Sequence, residues 1–222
     1  MLLRGRRRSL RFFIVLSIGF ILFPEVDIVL SSFFYDEGNA HWIPRSHLMH
    51  FARTYIPRIV IGSLFVIILL WVAGKVIHRR FLSITGRKVL YLLLSLAIGP
   101  GIIVESILKT FHGRARPRDI IEFGGNDIFT PIFVISDACQ KNCSFVSGHA
   151  ALMFWTTAFM FLVPASYKTT TFWMAVLFGA LMGVSRMAEG AHFFSDIVFA
   201  GIIVVFTNVF IANYIIGSRK RL

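Results

Sequence analysis

Apolar residues fill six stretches of this chain, and most charged residues fall between them. Runs at 59–73, 89–108, 150–163 and 197–216 meet or approach the length a bilayer demands, and a fifth, 172–184, is short but continuous. A hydrocarbon core of roughly 30 Å takes about 20 apolar residues in a helix. The first stretch is broken: residues 10–23 are apolar, Pro24-Glu25-Val26-Asp27 interrupts, and 28–34 resumes. We read it as one helix whose outer end carries the acids. A basic start ahead of a short apolar core also suits a secretory signal. No small-residue cleavage site follows, so an uncleaved signal anchor is expected. The pattern predicts an all-α integral membrane protein with six transmembrane helices and both termini on one side. No repeat, low-complexity tract or linker divides residues 1–222, which read as one domain.

Composition supports that class. Hydrophobic residues make up 56% of the chain and charged residues 15%, with a mean hydropathy of +0.74. Soluble domains are about a quarter charged, and disorder needs low hydrophobicity, so both are excluded. A formal net charge of +12 would suggest nucleic acid in a soluble protein, but its placement says otherwise. The side holding the termini carries 14 of the 23 Lys and Arg and no acid; the other carries the remaining nine with all 11 Asp and Glu. Excess basic residues in short loops mark the cytoplasmic face. Both termini are therefore expected in the cytoplasm, and the positive charge is expected to face anionic lipid headgroups rather than nucleic acid.

Polar chemistry collects in three outer loops, at about 25–58, 109–149 and 185–195, which hold six of the seven histidines. Cys139 and Cys143 lie in the middle loop. An outward location is oxidising, so a Cys-x3-Cys pair can close a small ring; free thiols or a metal site are the alternatives. In the third loop His192 and Asp196 are four apart at the start of the last helix and share a face. A carboxylate there can fix the imidazole tautomer and leave the other nitrogen to attack. A histidine merely satisfied at a helix end is the plainer alternative.

The middle loop opens with Lys109, Arg114, Arg116 and Arg118 within ten residues, on the side where basic clusters are not favoured. Such a cluster calls for an anion, and arginine forks match phosphate oxygens. Pro117 stiffens the turn that presents Arg116. The loop ends with Ser147-Gly148-His149 just before an apolar run. Ser147 suits a helix cap, Gly148 permits close backbone approach, and a helix N-terminus attracts anions, with His149 within reach of a leaving oxygen. For this tripeptide alone, an ordinary cap is the alternative. No His-Glu-x-x-His pattern and no carboxylate cluster suggests a metal. Taken together, the three loops point to metal-free phosphoryl transfer at the outer face.

These segments resemble the type 2 phosphatidic acid phosphatase superfamily, whose pattern is K-x6-R-P, then P-S-G-H, then S-R-x5-H-x3-D. Lys109 to Pro117 and Ser185 to Asp196 match in full, and Val146 stands where the family usually has Pro. The segments from Phe23 to Ile28, Phe33 to Tyr35, Cys139 to Val146 and Ala191 to Asp196 resemble the bacterial lipid A 4′-phosphatase branch. The resemblance implies a lipid phosphatase of the bacterial inner membrane, its active site facing the periplasm, with no cofactor. It implies that His192 forms a phosphohistidine, oriented by Asp196. Lys109, Arg116 and Arg186, with Ser147 and the Gly148 amide, then hold the phosphate oxygens while His149 protonates the leaving alkoxide. A phosphorylated membrane lipid is the expected substrate, with the lipid A 4′-phosphate favoured. Phosphatidylglycerophosphate, phosphatidate or polyprenyl diphosphate hydrolysis and lipid-to-lipid phosphotransfer use the same motifs. A scaffold or transporter is disfavoured, because the spans lack interior charges of the relay type. The first loop, through His41, Trp42, Arg45, His47, His50 and Arg53, is expected either to cover the site and contact a sugar or simply to lie at the interface. The motifs do not specify an oligomeric state.

Overall fold

The computed structural model describes residues 14–43, 46–78 and 84–217. The basic residues expected to mark the cytoplasmic face at 1–13, 79–83 and 218–222, together with Arg45, lie outside the described residues. Helices dominate: α1 (Ile14–Leu22), α2 (Val26–Ser32), α3 (His47–Val76), α4 (Gly86–Leu96), α5 (Lys109–Phe111), α6 (Gly148–Trp155), α7 (Lys168–Ala188) and α8 (Phe194–Ile215). Between α2 and α3 lies a hairpin of β1 (Tyr35–Asp36) and β2 (His41–Trp42), antiparallel with Tyr35 opposite Trp42. The α4 and α5 segments join through π-helical turns over Ala97–Leu108, which contain Pro100. A proline cannot sit in a regular helical ladder, and wider turns accommodate it.

Among the described residues, four stretches are long and apolar enough to cross a membrane: His47–Val76, Gly86–Phe111, Ala165–Ala188 and Phe194–Ile215. Counting the α1–α2 pair as one broken span makes five. The surface is inverted relative to a soluble protein. Phe65, Trp173, Leu177 and Phe210 are exposed while Ser95, Thr157 and Asn208 are buried. Lipid tolerates the first arrangement, and the absence of water inside requires the second group to bond internally.

The structure departs from the hydropathy pattern in three places. The α1–α2 pair is bent by 78° rather than forming one helix. Pro24 at the break has no N–H to continue the ladder, and Asp27 is 1% exposed instead of lying at a wet helix end. The first outer loop is shorter than 25–58, because α3 begins at His47, where Ser46 Oγ accepts from Met49 N at 3.2 Å, and continues through Pro57. The run at 150–163 is helical over α6 only, then tightens into a 3-10 helix over Thr156–Phe161. At ordinary rises per residue those two pieces span about 24 Å, less than a hydrocarbon core.

That short segment occupies the middle of the bundle, with α6 packed against α7 and α8. Gly179 of α7 makes the close approach possible, since a Cβ there would enter the Phe154 ring; small residues at such crossings let membrane helices approach. The helix changes type at Trp155, whose carbonyl accepts from Asn208 Nδ2 at 3.2 Å. Asn208 also donates to Thr157 Oγ1 at 2.9 Å, and Trp155 Nε1 donates to Ser95 Oγ at 2.9 Å. The Trp155 carbonyl, orphaned by the end of α6, is thus satisfied without water.

Candidate active site

The start of α8, Asp27 of α2 and the loop 112–147 converge around a buried arginine. Arg114 is fully buried. Its Nη1 donates to Asp196 Oδ1 at 2.8 Å and Ser195 Oγ at 2.9 Å, Nη2 to Asp27 Oδ2 at 2.8 Å, and Nε to the Thr130 carbonyl at 2.8 Å. Its guanidinium also lies 4.2 Å from the centre of the Phe193 ring, a cation–π contact. Asp27 accepts in turn from Ser195 N at 2.8 Å and from the Ser195 hydroxyl. Matched by two carboxylates and sealed from solvent, Arg114 is a frame for the site rather than a phosphate ligand. This corrects its grouping with the other cations of the loop.

Asp196 is the third residue of α8 and reaches back to accept from Phe193 N at 2.8 Å, ahead of the helix. The same Oδ2 accepts from Ser144 Oγ at 2.5 Å. His192 precedes α8 rather than sharing a helix face with Asp196, and that difference changes its partner. Its Nδ1 lies 3.8 Å from Asp196 Oδ2 but 2.8 Å from the Ser144 carbonyl oxygen. A carbonyl only accepts, so Nδ1 carries the proton and Nε2 keeps its lone pair. Burial holds His192 below the usual histidine range; the positive charges of Arg116 and Lys109 add to it, and Asp196 opposes. The ring is therefore neutral near pH 7. Asp196 fixes Ser144, and Ser144 orients the imidazole.

Of the remaining cations, Lys109 and Arg116 lie near enough to act on the charge of His192, and Arg186 and Lys109 on that of His149. Lys109 Nζ is 2.9 Å from Glu105 Oε1 and 3.3 Å from Asn142 Oδ1. Arg116 Nη2 donates to the Asn142 carbonyl at 2.5 Å. Arg186 Nη1 pairs with Glu189 Oε2 at 2.6 Å, which also lies 3.8 Å from Arg53 Nη1 of α3. Gly148 opens α6 beside them: a Cβ there would fall on the Glu105 carboxylate and lie 2.9 Å from Lys109 Nζ. Ser147 caps α6, its Oγ accepting from Ala150 N at 3.4 Å. His149, ahead of the apolar run, is pushed down to about 4 by burial and then by Arg186, His192, Lys109 and Arg53. Burial, with Arg118 and Arg186 close by, lowers Arg116 as well.

Lys109, Arg116, Ser147, Gly148, His149, Arg186, His192 and Asp196 thus come together, from segments far apart in sequence. Cations gathered around a helix N-terminus are chemically suited to an anion with several oxygens. Among the described residues no group of three His, Cys, Asp or Glu side chains is arranged to hold a metal ion. Cys139 and Cys143 are joined by a disulfide that leads directly into Ser144. Trp42 lies against Gly190 and packs with Tyr35 and Phe123, so the hairpin covers the third loop. His41, His47 and His50 remain exposed.

Sequence reasoning missed four contributors: Asp27, Ser144, Asn142 and Glu189. Asp27 stands out as an acid inside a proline-broken apolar stretch, and Asn142 and Ser144 lie in the segment 139–146 noted for its resemblance, without a role assigned to any of them.

The chain matches the PAP2 superfamily model over residues 88–220. It is 34% identical over 218 residues to the lipid A 4'-phosphatase of Francisella tularensis subsp. novicida (strain U112), covering 92% of this chain and 91% of that protein. The lipid A 4'-phosphatase of Rhizobium leguminosarum is 36% identical over 104 residues, 47% of this chain and 45% of that protein. The enzyme of the same name from Rhizobium etli (strain ATCC 51251 / DSM 11541 / JCM 21823 / NBRC 15573 / CFN 42) is 36% identical over 112 residues, 50% of this chain and 44% of that protein. No solved structure matches. The family match contains every site residue from Lys109 to Asp196, and the chain belongs to the PAP2 superfamily.

Proposed function

We propose that this lipid phosphatase removes a phosphate monoester from lipid A, the 4′-phosphate first, through a phosphohistidine at His192. The observation that carries the chemistry is the hydrogen bond from His192 Nδ1 to the Ser144 carbonyl, which leaves Nε2 free beside Lys109 and Arg116. The substrate choice rests on the relatives named above, above all the one similar over nearly its whole length.

In the first step Nε2 attacks phosphorus, a P–N bond forms and the bond to the lipid oxygen breaks. Lys109, Arg116 and Arg186, with the Ser147 hydroxyl and the Gly148 amide, hold the three equatorial oxygens as charge shifts. Preorganised electrostatics of this kind supply most of the catalysis in phosphoryl transfer. His149 gives its proton to the departing alkoxide. Burial, and then the surrounding cations, keep His149 neutral; a bound phosphate dianion offsets the cations and raises its proton affinity. Water then attacks the phosphohistidine, His149 takes its proton, and inorganic phosphate leaves.

In the membrane, six spans are completed by the bent α1–α2 pair and by the α6 segment. The latter is enclosed by α7 and α8 and need not match the bilayer alone. The charge asymmetry of the sequence supports cytoplasmic termini and a site at the periplasmic face of the inner membrane.

The test is to supply the purified protein with lipid A, phosphatidate, phosphatidylglycerophosphate and a polyprenyl diphosphate in mixed micelles. The expected result is fastest release from lipid A, with mass spectrometry locating the lost phosphate at the 4′ position. Faster turnover of any other lipid refutes the substrate; transfer of phosphate to a second lipid instead of water refutes the hydrolase.

A further inference from the structure

Three site residues bond to one short segment closed by a disulfide. Lys109 Nζ meets Asn142 Oδ1 at 3.3 Å, Arg116 Nη2 meets the Asn142 carbonyl at 2.5 Å, and His192 Nδ1 meets the Ser144 carbonyl at 2.8 Å. Asn142 has φ +54°, in the left-handed region that asparagine tolerates better than most residues. One residue thereby aims two oxygens at two different cations.

The segment is itself built into the site. The Cys139–Cys143 bond closes a ring with Cα atoms 5.5 Å apart, and Cys143 is fully buried. Cys139 N donates to the Gly113 carbonyl at 3.0 Å, and Ser144 N to the Arg114 carbonyl at 2.9 Å. Both ends of the ring are thus tied to the strand of loop that leads into Arg116. Lysine and arginine lose much rotamer freedom when fixed, so a rigid acceptor that fixes them before substrate arrives favours the transition state.

We propose that Asn142 is a positioning residue for Lys109 and Arg116, and that the Cys139–Cys143 bond acts on catalysis through it. This rests on Lys109 and Arg116 being phosphate-holding cations, as proposed above. The rival arrangement is that Asn142 merely occupies the space a phosphate would take, in which case removing it tightens binding.

Substitutions in the full-length protein separate the two, with p-nitrophenyl phosphate as the probe. Asn142→Gly keeps the positive φ and the carbonyl but removes Oδ1; Asn142→Ala also disfavours the backbone conformation; Asn142→Asp keeps an oxygen toward Lys109. Asn142→Gly is expected to lower kcat about 10-fold with little change in KM, inside the range that misplacement of about 1 Å produces. That loss should vanish in a Lys109→Ala background yet multiply in an Arg116→Ala background. Asn142→Ala should couple to both cations, and Asn142→Asp should restore kcat. The double change Cys139→Ser with Cys143→Ser should reproduce the Asn142→Ala defect and add nothing to it. Losses that multiply in every background, or a lower KM with kcat unchanged, overturn the positioning role. If Lys109→Ala and Arg116→Ala themselves leave kcat intact, the phosphate-holding assignment fails first and takes this one with it.

Discussion

Replacing Asp27 by Asn is expected to loosen the whole site from a residue that need not touch substrate. Asp27 accepts from Arg114 Nη2 and Ser195 N at 2.8 Å each, and from the Ser195 hydroxyl. The amide is nearly isosteric, but its one oxygen cannot serve both faces, so an NH2 group must confront a donor. Removing one partner of a buried ion pair costs about 3–5 kcal/mol. Arg114 keeps Asp196, which puts the expected loss near the lower end, about 3 kcal/mol. For a chain of this size each kcal/mol moves Tm by about 2–4 °C, giving a fall of about 6–12 °C. Because Arg114 also holds Asp196, and Asp196 holds Ser144 against His192, kcat should fall roughly tenfold. Fluorescence-monitored unfolding in detergent measures the first quantity and phosphate release the second. Glu122→Gln makes the same charge change at an exposed position and should shift Tm by no more than about 2 °C. An Asp27→Asn protein as stable as that control would refute the frame assigned to Arg114.

Gly148→Ala introduces a Cβ onto the Glu105 carboxylate and beside Lys109 Nζ; both are ends of flexible side chains that can swing aside, so the fold should be retained by circular dichroism while the displaced Lys109 lowers kcat/KM about 10-fold in steady-state hydrolysis. His149→Ala should lose about 10²–10⁴-fold on a lipid substrate but much less on p-nitrophenyl phosphate, whose leaving group needs little protonation, so equal losses on both would remove the general-acid role. The pH dependence of stability has a definite sign: His149 falls to about 4 in the folded chain against about 6.5 unfolded, so between those values the unfolded chain binds the extra proton and stability drops as pH falls. Burial lowers His112 and His192 too, giving the same sign; Tm measured from pH 7 to 4 should decline, and His149→Gln should flatten part of the slope.

Much of the helix layout could be read from the chain, because lipid exposure writes long apolar runs such as those ending α3 and forming α8. What escaped depended on partners distant in sequence. The acid at 27 reads as a wet helix end until Arg114, 87 residues away, takes it inside. The run at 150–163 reads as one more span, yet its helix changes type where Asn208, 53 residues on, satisfies the Trp155 carbonyl. Within the site, motif spacing brought His192 near Asp196 but not the start of α8 between them. Asp196 caps that start from its third position, which leaves His192 on the loop and hands its Nδ1 to the Ser144 carbonyl. Ser144 and Asn142 act through both backbone and side chain, but nothing in their spacing ties the Ser144 hydroxyl to Asp196, 52 residues on, or Asn142 Oδ1 to Lys109, 33 residues before it.

The covalent intermediate is the most direct test of the central claim. Protein mixed with a phosphorus-labelled substrate and quenched in base within one turnover should carry an acid-labile, base-stable phosphoryl group. Peptide mapping should locate it on His192. His192→Ala should abolish both label and turnover, whereas His149→Ala should form the label on p-nitrophenyl phosphate and hydrolyse it slowly. A label that survives in His192→Ala and disappears in His149→Ala would contradict the assignment of the two histidines, and active protein that never carries label would contradict the phosphohistidine itself.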